Sequence, residues 1–312
     1  MKIFMTGGTG FVGTTLTQHL IEKGHQVTIL TRKASSKPEQ SGVEPISYLE
    51  GDPTLPGAWQ ERVPQHDVIV NLAGASIFRK WDRKAKELIR DSRVKTTTHL
   101  VEALSGQAKN GTILISTSAV GYYGFHGDEE LDEDNPAGDD FLASVTREWE
   151  ASAGRAQAFG VRVVICRLGI VLGRSGGALG EMVPLFQKGL GSPLGSGNQW
   201  FSWIHETDLV DIYLFLMTKN DLSGPVNCTA PGPVRNRDLT QALGKALGKP
   251  TLLPAVPGFV VKMIKGEFGS MLLEGQRVLP KRLLSSGFDF HFSDIDTALK
   301  NLLGGLKGLK GR

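Results

Sequence analysis

The strand-like run Lys2–Met5 leads directly into Thr6-Gly7-Gly8-Thr9-Gly10-Phe11-Val12-Gly13, and no other junction constrains this chain as tightly. Gly7, Gly10 and Gly13 form a GxxGxxG pattern. Gly7 permits the tight turn off a strand. Gly10, with no side chain, lets backbone N–H groups approach a pyrophosphate, and Gly13 lets a helix pack against that strand. The helix N-terminus then meets the anion with free N–H groups and a favourable dipole. Gly13–Lys23 places Leu16, Leu20 and Ile21 on one helical face, Gly24 ends it, and Gln26–Leu30 reads as the next strand. A glycine triplet between a strand and a helix, with a second strand at the expected distance, predicts a dinucleotide site.

The same alternation continues. Asp67–Leu72, Thr112–Thr117 and Val161–Cys166 read as strands, and Arg83–Leu104 and Asp140–Phe159 as helices. Strands this apolar are covered on both faces, as in a parallel sheet. The pattern predicts an α/β fold with a Rossmann-type doubly wound parallel sheet. After residue 173 glycine and proline become dense, which predicts loops and short helices in a smaller C-terminal substrate lobe. Val226–Thr229 reads as a strand returning to the main sheet, with helices over Asn236–Leu247 and Ser293–Leu303. The expected division is 1–173 plus 204–231 for the nucleotide domain, and 174–203 plus 232–312 for the lobe. The acidic run Asp128–Asp134 reads as a solvated loop.

Charge and composition exclude several classes. Net charge is only +3, with no basic stripe for nucleic acid. No run of ~18 apolar residues could span a bilayer, and no membrane partner is expected. Cys166 and Cys228 lie in apolar runs without CxxC spacing, as buried thiols of a reducing compartment do. A cytoplasmic protein is the default, with an organellar matrix open. The seven histidines are dispersed, and no metal site is assigned. The expected partner is a small-molecule substrate, and a homodimer stays open.

The second strand ends at Leu30-Thr31-Arg32-Lys33. A carboxylate at this point would accept from a ribose 2′-OH; Arg32, with Lys33 beside it, instead suits a 2′-phosphate. The expected cofactor is therefore NADP(H).

These segments resemble the extended short-chain dehydrogenase/reductase superfamily. Asn71-Leu72-Ala73-Gly74 is similar to its strand-four segment beside the adenine ribose and pyrophosphate. Ser116-Thr117-Ser118-Ala119 is similar to the strand-five segment that carries the active-site hydroxyl, and Arg167–Gly173 to the stretch beside the nicotinamide. Trp203-Ile204-His205-Glu206-Thr207-Asp208-Leu209 resembles the family's Ile-His-x-x-Asp-Leu segment. Gly195–His205 and Leu273–Leu283 resemble a subgroup of NADP-dependent epimerase-family proteins with a C-terminal module of unknown function and no assigned substrate. The resemblance implies that Gly7, Thr9, Gly10, Phe11, Val12, Thr31, Arg32, Lys33, Asp52, Leu72, Ala73, Gly74, Arg93, Ser116, Thr117 and Val171 line the cofactor. It implies that His205 positions a loop near the substrate cleft.

The superfamily's usual mechanism uses a Ser/Thr hydroxyl, a Tyr and a Lys in Tyr-x-x-x-Lys. Ser118 matches the hydroxyl. Phe141 stands at the Tyr position and Val145 at the Lys position, and neither can move a proton or carry charge. Tyr122 or Tyr123 is the candidate replacement acid. Two classes stay open: an NADP(H)-dependent oxidoreductase or epimerase acting on a small carbonyl or sugar-like compound, and a non-catalytic protein that senses NADPH.

Overall fold

The computed structural model describes residues 1–33, 45–174 and 176–304. Along the chain run β1 (Lys2–Thr6), α1 (Phe11–Glu22), β2 (Gln26–Thr31), β3 (Ile46–Glu50), β4 (Val68–Asn71), α2 (Arg83–Leu104), β5 (Ile113–Ala119), β6 (Glu130–Leu131) and α3 (Phe141–Gly154). Then follow β7 (Arg162–Leu168), β8 (Ile170–Gly173), α4 (Gly177–Gln187), β9 (Trp200–Phe201), β10 (Trp203–His205), α5 (Glu206–Thr218), β11 (Gly224–Cys228), β12 (Val234–Arg235) and α6 (Asn236–Leu247). The last elements are α7 (Gly258–Lys265), α8 (Glu267–Leu273), β13 (Arg277–Val278), α9 (Lys281–Ser285) and α10 (Ile295–Leu303).

Seven strands form one parallel sheet in the order β11-β7-β5-β4-β1-β2-β3. Alternation along β1 divides the core. Ile3 and Met5 pack with Leu16, Leu20 and the α5 residues Leu209 and Ile212 on one face. Phe4 packs with Ile69, Leu100 and Leu104 on the other. Both faces are thus dry, which is why β4 has no polar residue before Asn71. The chain turns back at β1, with β2 on one side and β4 on the other, so a crevice opens at the carboxyl ends of β1 and β4. No helix among the described residues is long and apolar enough to cross a membrane.

A further core joins α4, α6 and α10 through Leu179, Phe186, Leu239, Leu243, Leu299 and Leu302. Asp208 of α5 binds this part to the sheet, accepting from the backbone N–H groups of His291 and Phe292 at 2.9 and 3.0 Å.

The acidic run keeps most of its carboxylates in water, as expected of a solvated loop, but it is also tied down as a strap, and Glu133 departs from the expectation. Glu130–Leu131 pairs in parallel with Arg277–Val278. Glu133 is buried and accepts from the amides of Asn227 and Arg282. Burial pushes its carboxyl above the usual range. Asp132 pairs with Lys281 at 2.8 Å, and Asp128 accepts from Arg235 and from Trp200 Nε1. Asp128, Glu129, Glu130 and Asp134 remain exposed; only Glu133 is turned inward, by backbone amides that come from far along the chain.

His205 also departs from expectation. Its Nδ1 accepts the Thr207 amide at 3.0 Å, capping α5, and its ring stacks on Phe292 at 3.8 Å. It is a buried joint between the start of α5 and the segment that carries Phe292. Burial lowers its pKa from 6.5 to about 4. The folded state therefore disfavours the proton, and the stability that neutral His205 contributes is present above pH 6.5 and is lost as pH falls toward 4. The contribution has an upper limit of about 3.4 kcal/mol. In urea titrations, His205→Asn, which keeps a cap acceptor but cannot titrate, should lose less stability than wild type between pH 7 and 4. Parallel losses would remove His205 as the source.

Candidate nucleotide and active site

The glycine turn is built to admit backbone and nothing larger. Gly7 has φ +71°, and a Cβ there would lie 2.6–2.8 Å from the Leu72 carbonyl and the Ala73 nitrogen. A Cβ on Gly13 would meet the Gly7 oxygen at 2.2 Å. Gly10 caps α1 with no side-chain hydrogen bond. The first-turn amides of Phe11, Val12 and Gly13 consequently point into the crevice without a capping oxygen. Most helices fill this position with Ser, Thr, Asp or Asn, so its emptiness leaves the amides for a ligand. The Val12 side chain packs on the core, and the Phe11 ring sits against Gly173, Gly176 and Gly177. These two residues offer their amides to the turn, while their side chains close its back.

A buried hydroxyl network fixes the opposite lip. Thr6 Oγ1 donates to Asn71 Oδ1 at 2.7 Å, and Asn71 Nδ2 donates to Thr97 Oγ1 at 2.8 Å and Ser116 Oγ at 3.3 Å. The Ala73 amide donates to Thr6 Oγ1 at 3.3 Å. Ser116 is buried in this network, and Thr117 Oγ1 lies 2.9 Å from the Tyr213 hydroxyl. Val171 lies on β8, partly buried against the main core.

Arg93 of α2 reaches the same lip. Its guanidinium carbon lies 3.2 Å from where a Gly74 Cβ would be and 5.4 Å from the Trp149 ring centroid. It is half-buried, donates once, to the Ile89 carbonyl at 2.9 Å, and makes no ion pair among the described residues. Burial pulls its pKa down to about 10, still charged at neutral pH. At the end of β2, Arg32 and Lys33 are exposed. Across that rim Thr54 donates twice to Asp52, at 2.9 and 2.7 Å, holding the carboxyl below its usual range.

Beneath the carboxyl end of β5 lies a second network. Ser118 Oγ donates to Glu150 Oε1 at 2.6 Å. Arg167 grips Glu150 with Nε and Nη2, at 2.9 and 2.8 Å. It also donates to the Tyr123 hydroxyl at 3.0 Å, which in turn donates to Asn227 Oδ1 at 2.7 Å. Its guanidinium carbon lies 3.4 Å from the Tyr122 ring centroid. Burial works against the Arg167 charge, but the Glu150 hydrogen bonds and charge outweigh it and raise the pKa above its ordinary value. Tyr123 is fully buried, and burial pushes its phenol to about 12. Its hydroxyl is committed on both sides. Tyr122 is partly buried and packs edge-on to Tyr123, 5.4 Å between centroids.

Glu150 and the pairing role of Arg167 were missed in the sequence. A signal existed: Arg167 interrupts an otherwise apolar strand, Val163-Val164-Ile165-Cys166, and an arginine inside a sheet requires a buried anion. Phe141 stands under Trp81, with ring centroids 5.2 Å apart, and Phe268 of α8 covers Trp81 at 5.9 Å. Val145 is buried. The Tyr-x-x-x-Lys position is thus an apolar wall sealed by the C-terminal module.

A doubly wound sheet with an uncapped, glycine-lined helix N-terminus at its switch point defines a dinucleotide-binding α/β protein. The chain belongs to the NAD dependent epimerase/dehydratase family, which residues 3–228 match, while residues 256–302 match a domain of unknown function, DUF1731. Similar proteins include the chloroplastic SDR39U1 homolog of Arabidopsis thaliana, 41% identical over 306 residues, covering 97% of this chain and 87% of that protein. SDR39U1 of Mus musculus is 38% identical over 308 residues, covering 97% of this chain and all of the other. Among solved structures, human SDR39U1 (isoform 2) with NADPH superimposes with a TM-score of 0.85 at 36% identity, covering 97% and 99% of the two chains.

Proposed function

We propose that the protein binds NADP(H) across the carboxyl ends of β1, β4 and β5 and acts as an oxidoreductase or epimerase on a small carbonyl or sugar-like compound. Arg93 carries this reading: a half-buried guanidinium that has no ion pair among the described residues, on the same crevice as a turn of bare amides, suits an anion. The glycines let the turn fold tightly on Leu72, Ala73 and its own backbone, which leaves the first-turn amides bare for a pyrophosphate. NADPH in the human relative supports the choice of nucleotide.

The amides of Phe11, Val12 and Gly13 would hold the pyrophosphate, with Thr9, Gly10 and Leu72–Gly74 shaping its path. Arg93 would meet a phosphate or ribose oxygen. Arg32 and Lys33 would meet the 2′-phosphate, and Asp52 with Thr31 would border the adenine. Ser116 and Thr117 act from below, and Val171 lines the nicotinamide side. NADP(H), when bound, supplies or accepts a hydride. Tyr122 is the remaining phenol for the proton, since Tyr123 is committed. The substrate would lie between the nucleotide domain, 1–173 plus 204–231, and the lobe, 174–203 plus 232–312.

Calorimetry with NADPH and NADH, followed by NADPH oxidation against a panel of carbonyls and nucleotide sugars, tests this. Absence of heat with either reduced nucleotide removes the reading. Arg32→Glu should cut the preference for NADPH over NADH about ten- to hundredfold, the worth of charge-assisted hydrogen bonds to a phosphate together with the repulsion a carboxylate adds. An unchanged ratio of dissociation constants would take Arg32 out of the site. Tyr122→Phe should slow turnover about a hundredfold or more if the phenol is the acid. Full activity in that variant would exclude it.

One observation favours a second reading, an NADPH sensor. Ser118 is turned into the Glu150 pair, and Trp81 walls off Phe141. Tight NADPH binding with a flat response across the panel would select it.

A further inference from the structure

Two segments far apart in sequence meet beside the C-terminal module and share one chemistry. α7 buries Val261 but leaves Phe259, Met263 and Ile264 exposed by 71%, 75% and 66%. With Val260 they span an arc of about 140° on the helix, and Lys262 and Lys265 lie outside it. Just before the helix, Leu252 is 89% exposed. Residues 249–267 carry three lysines and one acid, Glu267, which is paired with Lys86 of α2 at 2.7 Å. The loop before α2 adds to this face. Phe78 is half-exposed, and its ring meets Phe268 at 5.8 Å. Lys80 Cγ lies 3.9 Å from where a Gly266 Cβ would be. Arg79 and Lys80 are exposed there.

We propose that this face docks on an anionic phospholipid surface, with Phe259, Met263, Ile264 and Leu252 entering the headgroup boundary and the flanking lysines meeting lipid phosphates. Interleaved aromatic or aliphatic and basic side chains suit a surface that offers apolar depth and negative charge in one layer. A second copy suits it poorly. A two-fold contact brings two copies of the same net-positive patch together, whereas a lipid phosphate layer supplies the opposite charge. The whole-chain charge of +3 averages this local excess away, so the surface is invisible in the net charge.

The test is vesicle sedimentation of the full chain, loaded with NADPH, using phosphatidylcholine vesicles with and without phosphatidylglycerol. Wild type should pellet with the anionic vesicles and release as salt rises. Lys262→Ala and Lys265→Ala should each weaken binding about fivefold. The Phe259→Ser/Met263→Ser double variant should weaken it about tenfold or more. All these side chains are exposed, so unfolding midpoints and NADPH affinity should stay at wild-type values. Wild type left in the supernatant with anionic vesicles overturns the proposal. So does a double variant that binds as wild type. A dimer in sedimentation velocity that the double variant dissociates overturns it in favour of a second copy.

Discussion

Arg93→Met is expected to weaken NADPH binding about ten- to hundredfold while leaving the fold as stable as wild type, or more so. The two halves of this result have separate causes. A charge-assisted hydrogen bond from a partly desolvated guanidinium to a phosphate contributes about 1.5–3 kcal/mol, which methionine cannot supply. Yet Arg93 has no carboxylate partner among the described residues, so its removal strands no buried anion. Its folded-state charge is already disfavoured, as the fall of its pKa to about 10 records. Methionine gives up the guanidinium's place over the Trp149 ring but keeps an apolar chain of similar length in the same half-buried position. A residue kept for architecture would behave in the opposite way, losing stability and leaving affinity intact. Calorimetry and thermal unfolding on the same preparation separate the cases. An affinity within twofold of wild type would mean that no phosphate reaches Arg93.

The nucleotide half was legible because its constraints are local. Gly7 must have positive φ, Gly13 must lack a Cβ, and α1 must begin without a side-chain cap; each leaves its mark within a dozen residues. α2 and α6 likewise match their expected bounds, since Asp82 caps one and Gly248 ends the other. Legibility failed where the deciding partner is remote. Helix α3 was expected to reach Phe159, but its regular turns stop at Gly154, ahead of a short 3-10 turn. Glu133 looks solvated until Asn227 and Arg282 are brought to it, 94 and 149 residues further on. Ser118 was matched to a substrate-facing hydroxyl by its place in a motif. Whether that hydroxyl faces a ligand depends on Glu150, a polar residue on α3 that reads as one more solvent-facing position.

Glu150→Ala should destabilise the fold by about 3–5 kcal/mol, the cost of leaving a buried guanidinium without its anion. Against a typical 5–15 kcal/mol for a whole domain, that is a large fraction, and expression should fall with it. The Arg167 side chain is only 3% exposed, so water cannot replace the lost carboxylate. Its fork would swing, and Tyr122, stacked 3.4 Å below, and Tyr123, bonded to Nη1, would move with it. The double variant Glu150→Leu/Arg167→Met tells a pairing role from a packing one. Replacing both members of a buried pair by apolar groups is often neutral, so it should recover most of the loss. Recovery of stability without recovery of NADPH-dependent turnover would then assign the pair to holding Ser118 and Tyr122. A double variant as unstable as Glu150→Ala alone would show instead that the Ser118 hydroxyl, left without its acceptor, and the Tyr123 hydroxyl, left with Asn227 alone, set the loss, and the ion pair would no longer be the element that fixes this end of the sheet.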